Sequence, residues 1–224
     1  MEAFQTAFVE LLVQYEVIRF GSFTLKSGRI SPYFVNAGQL RTGDAIGRLG
    51  RAYAAQLQAR GIACDLVFGP SYKGVPLAVS TAMALSEAGR DVGFAFDRKE
   101  AKNHGEGGSF VGTQPSAGMR VVVVDDVITS GRSIRESVTQ LRSAADVEIA
   151  AVVVAVDRQE KGETDRSTLC ELRDELGIAV LPLVSVREMV EWLCGREVGG
   201  SVVLDTEGAR AIDAYLAEHG GRES

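Results

Sequence analysis

Residues 121–133 have the sequence VVVVDDVITSGRS, in which four valines lead into two adjacent aspartates and a turn rich in hydroxyl groups. Successive β-branched residues without polar alternation are typical of a strand buried on both faces of a parallel sheet. Asp125 and Asp126 therefore mark the carboxyl end of a strand, and the turn after them leads into a predicted helix. Ligands bind beyond the carboxyl ends of such strands, so this turn is a candidate site.

The same alternation of apolar strands and helices continues on both sides of this turn. Strands are predicted at residues 65–69, 91–96, 120–124, 149–156 and 180–184. Helices are predicted at residues 4–18, 44–59, 75–88, 134–143 and 187–194, the second with Thr42 or Asp44 as cap and Gly61 as stop. This order predicts an α/β fold with a parallel sheet flanked by helices. We expect one domain over residues 1–224, with its core sheet at about residues 60–185.

Composition narrows the classes of function. A formal net charge of −6 argues against nucleic acid as the main partner. No apolar run approaches the roughly 20 residues that span a membrane, and the first ten residues carry two acids and no lysine or arginine, unlike a signal peptide. We therefore expect a cytoplasmic protein. Cys64, Cys170 and Cys194 are far apart, which favours buried thiols over a disulfide framework or a zinc site.

Two kinds of chemistry fit the turn after the valine strand. Free amides at a helix N-terminus, with the hydroxyls of Thr129, Ser130 and Ser133, form a cradle for a phosphate, and Gly131 allows the backbone to approach it. The two carboxylates suit sugar hydroxyls or a hydrated magnesium ion. One ligand carrying a phosphate and a ribose diol would satisfy both. The alternative is that the aspartates only cap the turn. A single aspartate would favour that interpretation, whereas two adjacent acids favour ligand binding.

The turn resembles the signature of type I phosphoribosyltransferases that binds phosphoribosyl diphosphate (PRPP). In that family the paired acids contact the ribose and the turn holds the 5′-phosphate. The resemblance implies that Asp125 and Asp126 meet the ribose. It implies that the phosphate loop consists of Val127, Ile128, Thr129, Ser130, Gly131, Arg132 and Ser133.

Residues 68–74, with the sequence FGPSYKG, also join a predicted strand to a predicted helix. Taken alone, this segment is an ordinary strand-to-helix turn. The resemblance implies that it is the pyrophosphate loop and that Tyr72 and Lys73 contact PRPP.

Residues 97–108, with the sequence DRKEAKNHGEGG, resemble the catalytic loop of orotate phosphoribosyltransferases. A Lys/Glu-rich loop is by itself more often a solvated surface loop. The resemblance implies a lid that reaches into the neighbouring subunit's site, and hence a homodimer. It implies PRPP contacts by Arg98, Lys99, Lys102 and His104, of which Arg98, Lys102 and His104 act in trans.

Residues 23–29 (FTLKSGR) and 31–36 (SPYFVN) resemble the family's N-terminal hood, which we expect within residues 1–40. The resemblance places Lys26 at both substrates, and Phe34, Val35 and Thr129 at orotate. Arg158, in the string DRQE, takes the place of the arginine that meets orotate, whose carboxylate suits a guanidinium fork. The alternative for Arg158 is a surface ion pair with Asp157 or Glu160. The resemblance covers about residues 20–162.

The implied reaction is transfer of the phosphoribosyl group of PRPP to orotate, giving orotidine 5′-monophosphate and pyrophosphate, in the biosynthesis of UMP. The implied catalytic residues are Lys99, Lys102, His104, Asp125 and Asp126. The implied cofactor is Mg²⁺, held mainly through PRPP and waters, with the two aspartates as candidate ligands. Two alternatives stay open: a phosphoribosyltransferase for another base, and a PRPP-binding regulator without catalysis.

Overall fold

A computed structural model of the chain describes residues 1–25, 28–98, 109–128 and 130–222. In these ranges the helices are α1 (Ala3–Gln14), α2 (Gly43–Ala59), α3 (Gly74–Glu87), α4 (Arg132–Ala144), α5 (Thr168–Leu176), α6 (Val186–Leu193) and α7 (Thr206–His219). The strands are β1 (Ile18–Thr24), β2 (Ile30–Val35), β3 (Leu66–Phe68), β4 (Gly93–Asp97), β5 (Phe110–Gly112), β6 (Arg120–Val127), β7 (Glu148–Asp157), β8 (Val180–Ser185), β9 (Glu197–Val198) and β10 (Ser201–Val202).

The central sheet has the strand order β5-β4-β3-β6-β7-β8. Every neighbouring pair is parallel except β4 and β5. In the register of the sheet, Val123 of β6 lies between Phe68 of β3 and Val152 of β7. The predicted α/β fold with a parallel sheet flanked by helices is confirmed, except that β5 pairs antiparallel at one edge. The carboxyl ends of β3, β4, β6 and β7 consequently meet at one edge.

The valine run is buried on both faces of this sheet. Val122 and Val124 belong to the core that includes residues of α1, α2 and α3, whereas Val121 and Val123 belong to the core that includes residues of α4 and α5. All four side chains are fully buried. Burying a side chain of this size stabilises a fold by roughly 1.5–3 kcal/mol. The sequence of this strand lacks polar alternation because both of its faces are covered.

Helix α2 begins where the sequence indicates. The hydroxyl of Thr42 accepts a hydrogen bond from the amide of Ala45 at 3.2 Å, so Thr42 and not Asp44 is the cap. Gly61 adopts φ +64° just beyond the helix, as expected of a stop. Farther inside, Gly50 allows α2 and α3 to pack closely, because a Cβ there would lie 2.4 Å from the carbonyl oxygen of Ser80.

The N-terminal segment departs from its prediction. The helix expected over residues 4–18 ends at Gln14, because Glu16 takes a left-handed φ of 53° and Ile18 pairs with Val35 in an antiparallel hairpin of β1 and β2. Residues 110–112 form β5, which the sequence patterns did not predict. Sequence patterns did not predict β2, α5 or α7 either.

Candidate active site

The hairpin and the loops after β3, β6 and β7 enclose one cleft of about 970 Å³. We call it the central cleft and define it by six of its lining residues: Phe34, Lys73, Asp125, Asp126, Ser133 and Arg158. These residues come from five separate segments of the chain. Residues expected at the ribose, the diphosphate and the base therefore share one cavity.

The two acids lie at the end of β6 in a fixed arrangement. Oδ2 of Asp125 accepts a hydrogen bond from the Ser133 hydroxyl at 2.7 Å, and Oδ1 accepts one from the amide of Asp126 at 2.9 Å. The Tyr53 hydroxyl donates to the backbone carbonyl of Asp125 at 2.6 Å. Burial raises the pKa of Asp125, partly offset by the bond from Ser133. The acids are thus oriented by contacts within the protein itself.

Lys73 connects the loop after β3 to this acid pair. Its Nζ lies 2.7 Å from Oδ2 of Asp126, whose side chain is only 12% exposed. The lysine side chain is 74% exposed. The hydrogen bond to Asp126 is the main reason that the pKa of Lys73 is raised. The ammonium group therefore stays charged at the mouth of the cleft, where an anionic ligand can reach it.

The loop that carries Lys73 is held by the end of β4. Ser71 donates from its amide to Oδ1 of Asp97 and from its hydroxyl to the Asp97 carbonyl, both at 2.6 Å. Gly69 and Gly74 approach so closely that a Cβ on Gly69 would lie 2.0 Å from the Gly74 carbonyl oxygen. Tyr72, at the tip, is 70% exposed. Sequence patterns did not identify Asp97 as a residue that holds this loop. Its position as an acid at the end of a strand is the signal that could have indicated the role.

The turn before α4 has the shape of an anion cradle. Gly131 adopts φ +70°, and a Cβ there would lie 2.7 Å from Cδ1 of Leu172. A hollow of about 270 Å³ is lined by residues 130–134 and by Asp125. Among the described residues, no side chain caps the first amides of α4. These amides are consequently available to an anion.

The exposed guanidinium of Arg132 pairs with a residue of its own helix. It donates to Glu136 at 2.7 Å, one helical turn farther along α4. Val127 and Ile128 also line the cavities near the turn.

Arg158 lies in the wall of the central cleft and forms an ion pair with Glu160. Of the two ion-pair partners that the sequence suggested for Arg158, Glu160 is the one it contacts. The Oδ1 of Asp157 instead accepts from the Gln159 amide at 2.8 Å. The pair is not a surface pair, since the two side chains are only 18% and 13% exposed. Arg29, which the sequence did not single out, donates to the same carboxylate at 2.8 Å.

The hairpin brings Phe34 and Val35 to the cleft. The Phe34 ring stacks on Phe23 with centroids 5.7 Å apart, and the Arg19 guanidinium lies within 6 Å of both ring centroids. A cation near two aromatic faces stabilises their arrangement. Phe34 is thus held at the wall of the cleft.

Five residues expected in the site lie outside the described ranges: Lys26, Lys99, Lys102, His104 and Thr129. Arg98 is described at the start of the lid segment, where its amide donates to the Ser109 carbonyl at 2.8 Å and extends the pairing of β4 with β5. The two ends of that segment therefore lie side by side next to the loop held by Asp97.

The donor set suits magnesium that arrives with a phosphorylated ligand. In the described ranges no three His, Cys, Asp or Glu residues form a metal cluster. Both oxygens of Asp125 and Oδ2 of Asp126 already have protein partners. Mg²⁺ commonly keeps several waters and uses one or two carboxylates together with substrate phosphates. The acid pair fits that mode better than an all-protein cage.

Known proteins are similar to this chain in both sequence and fold. The family model of the phosphoribosyl transferase domain matches residues 36–182. The orotate phosphoribosyltransferases of Thioalkalivibrio sulfidiphilus and Vibrio parahaemolyticus are 49% and 47% identical over 221 residues, each match covering 98% of this chain and 100% of the relative. A crystal structure of the Francisella tularensis orotate phosphoribosyltransferase superimposes with a TM-score of 0.83 at 34% identity, covering 96% of this chain and 100% of that one. Across the described part of the chain, no helix combines the length and apolar character needed to cross a membrane.

Proposed function

The chain belongs to the phosphoribosyl transferase domain family and, within it, to the orotate phosphoribosyltransferases, and on this premise we propose how its central cleft performs the transfer. A ring nitrogen of orotate attacks C1 of the PRPP ribose, and the bond from C1 to the diphosphate oxygen breaks. The proton of that nitrogen passes to the released pyrophosphate or to solvent. Orotidine 5′-monophosphate and pyrophosphate result. The reaction belongs to pyrimidine biosynthesis, in the route to UMP.

One observation supports this assignment of roles more than any other. The oriented acid pair, the N-terminus of α4, which has no side-chain cap among the described residues, and the exposed ammonium of Lys73 all open onto adjoining cavities. PRPP carries a ribose diol, a 5′-phosphate and a diphosphate. Each of these groups finds the chemistry that recognises it, because carboxylates accept from hydroxyls and helix amides and ammonium groups bind phosphate.

The ribose is held by Asp125 and Asp126 through its hydroxyls. The 5′-phosphate binds the loop of residues 127–133, with Gly131 allowing close approach of the backbone. Positive charge builds on the ribose as the leaving group departs, as in other glycosyl transfers. The two carboxylates are placed to stabilise that charge by fixed orientation.

The leaving diphosphate is met by cations. Tyr72 and Lys73 provide contacts from the loop after β3. In the proposed homodimer, the lid of the partner subunit adds its Arg98, Lys102 and His104, and Lys99 completes the set. Lid closure excludes water from a cleft in which electrostatic contacts then become stronger. Bound Mg²⁺ would supply charge neutralisation of the diphosphate, held through PRPP and waters near Asp125 and Asp126.

Orotate occupies the side of the cleft formed by the hairpin and the loop after β7. Its flat ring stacks on Phe34, beside Val35. Its carboxylate meets Arg158, and Lys26 and Thr129 complete the contacts implied by the resemblance. The base is thereby held with its nitrogen toward the ribose, which lowers the entropic part of the barrier.

An absorbance assay of orotate consumption tests the function. Purified protein is mixed with orotate, PRPP and Mg²⁺, and each component is omitted in turn. Loss of orotate absorbance only in the complete mixture is expected. Parallel reactions with uracil, adenine and hypoxanthine address another base as substrate, and PRPP binding without consumption of any base would identify a regulator.

A further inference from the structure

Glu160 joins two arginines in the wall of the central cleft. Its Oε2 accepts from Nη2 of Arg29 at 2.8 Å, and its Oε1 accepts from Nη2 of Arg158. Both arginines line the cleft, whereas Glu160 lies behind them in a smaller cavity that adjoins it. The carboxylate therefore lies behind the cleft wall and sets the positions of two groups that form it.

We propose that Glu160 is a positioning residue for substrate recognition, holding Arg29 beside Arg158 so that both guanidinium groups face the carboxylate of orotate. This inference rests on the proposed function and gives roles in substrate recognition to Glu160 and Arg29, to which the motifs assigned none. Each bond to Glu160 engages one terminal nitrogen of an arginine. A guanidinium has five N–H donors, so donors remain for a ligand.

The charges of this trio suit a monoanionic base. Two guanidinium groups face one carboxylate, which leaves an excess of one positive charge. The carboxylate of orotate would balance it. A neutral base such as uracil would leave the excess uncompensated in a wall where Arg158 is only 18% exposed. Buried charges without partners are strongly unfavourable, so the cluster should discriminate against bases that lack a carboxylate.

The surroundings of Glu160 fix its side chain firmly. Besides the two arginines, Oε1 accepts from the hydroxyls of Tyr33 at 3.0 Å and Tyr215 at 3.2 Å. Tyr33 comes from β2 and Tyr215 from α7, so the carboxylate connects the hairpin, the loop after β7 and the C-terminal helix. Four donors therefore converge on a carboxylate that is only 13% exposed, and they fix its orientation.

The chain after α7 holds the backbone of this loop. The Lys161 amide donates to the His219 carbonyl at 3.0 Å, and the Gly221 amide donates to the Gln159 carbonyl at 2.9 Å. Gln159 itself takes a left-handed φ of 53°, which these bonds help to maintain. The C-terminal segment thus acts on the orotate side of the cleft through the loop that carries Arg158 and Glu160.

Glu160→Gln provides a test in which the sign of the effect is diagnostic. Glutamine keeps an acceptor oxygen for the three donors that converge on Oε1. It replaces Oε2 by an NH₂ group, which would face the donor of Arg29. The substitution also makes the cluster more positive, which by attraction alone would lower the KM for orotate. If Glu160 acts by orientation, the KM for orotate rises by about 10- to 100-fold in spite of the added charge.

Three further measurements make the result specific. The affinity for PRPP with Mg²⁺ should change by less than about threefold, because the proposal places the cluster at orotate and not at PRPP. Asp65→Asn is the matched control, since it removes an exposed carboxylate that binds Arg120 at 3.0 Å near the opposite ends of the strands; it should leave both constants unchanged. Turnover of uracil relative to orotate should increase in Glu160→Gln.

A KM for orotate that falls or stays constant in Glu160→Gln would overturn the inference, as would equal weakening of orotate and PRPP. If this variant does not fold, Arg29→Gln and Tyr215→Phe serve instead. Arg29→Gln should raise the KM for orotate about 10-fold and Tyr215→Phe about two- to fivefold, with PRPP affinity kept; unchanged constants in both would equally overturn it. Wild-type protein that consumes no orotate would instead refute the proposed function itself.

Discussion

The ammonium nitrogen of Lys73 lies 2.7 Å from Oδ2 of Asp126, so the loop assigned to the diphosphate is joined to the acid pair assigned to the ribose. The opposite charges of Lys73 and Asp126 compensate each other at the mouth of the cleft. A diphosphate that binds Lys73 must compete with Asp126 for the ammonium. Binding of PRPP should therefore exchange an internal ion pair for contacts with the ligand.

Lys73→Gln removes the cation and leaves Asp126 without its partner. We expect kcat/KM for PRPP to fall by about 10²- to 10³-fold, since the leaving group loses a charge-assisted contact and a carboxylate faces it unneutralised. Steady-state kinetics at saturating orotate measure the change. Lys161→Gln is the control, because Lys161 pairs with exposed Asp165 at 3.3 Å. A decrease of less than about threefold would remove Lys73 from the mechanism.

Asp125→Asn should separate stability from activity. Burial raises the pKa of Asp125, so its ionised form subtracts from the free energy of unfolding at neutral pH. This subtraction disappears as the pH falls through the folded-state pKa toward the ordinary value for an aspartate. The variant should therefore be at least as stable as the wild type at pH 7, with its advantage lost in acid, while activity falls by about 10²-fold or more.

Denaturant unfolding at pH 7 and in acid, together with turnover of the same samples, measures both effects of Asp125→Asn. A loss of more than about 1 kcal/mol at pH 7 would show that the carboxylate is stabilising, contrary to this account.

Gly131→Ala should weaken PRPP binding by displacing the phosphate loop. The new Cβ would lie 2.7 Å from Leu172 at a φ of +70°. Gly118→Ala is a matched control, because Gly118 has φ +81° and a Cβ there would meet no atom of the described residues within 4 Å. Both variants should lose about 1–2 kcal/mol of stability from the left-handed backbone, but only Gly131→Ala should raise the KM for PRPP. Equal KM values in the two variants would contradict the assignment.

Lys102 belongs to the lid that the resemblance implies. Lys102→Ala should lower kcat by about 10²-fold or more while changing PRPP affinity far less, because the lid acts mainly in the transition state. Single-turnover kinetics and direct binding measurements separate the two quantities. Unchanged turnover would remove Lys102 from the catalytic set.

Subunit complementation tests whether the lid acts across a homodimer. Neither Lys102→Ala nor Asp125→Asn protein should be active alone, but a heterodimer of the two contains one intact site. An equal mixture after complete exchange should recover about a quarter of wild-type activity. Differently tagged subunits verify the exchange. Heterodimers that form and remain inactive would show that sites are not shared.

Much of the site was predictable because its segments carry local signals. The valine strand, the acid pair and the turn at Gly131 follow one another in sequence and stay together in the fold. The short strand β5 was not predicted because it lacks such a signal: its three residues are too few to show a period, and its place is set by pairing with β4.

Contacts between distant parts of the chain were invisible in the sequence. Glu160 meets Arg29, 131 residues away, and Tyr215, 55 residues away. No sequence motif predicts that Arg29 or Tyr215 contacts Glu160. The string DRQE alone allowed an ion pair for Arg158 but not its burial, because burial depends on α7 and the hairpin packing around it.

Calorimetric titration of PRPP into the protein with Mg²⁺ present tests the central arrangement most directly. Performing the titration at two temperatures prevents a small enthalpy from hiding binding. We expect saturable binding of one PRPP per chain in the wild type and a large loss of affinity in the Asp125→Asn, Asp126→Asn double variant. Absence of binding by the wild type, or equal affinity in the double variant, would contradict the placement of the ribose at the acid pair.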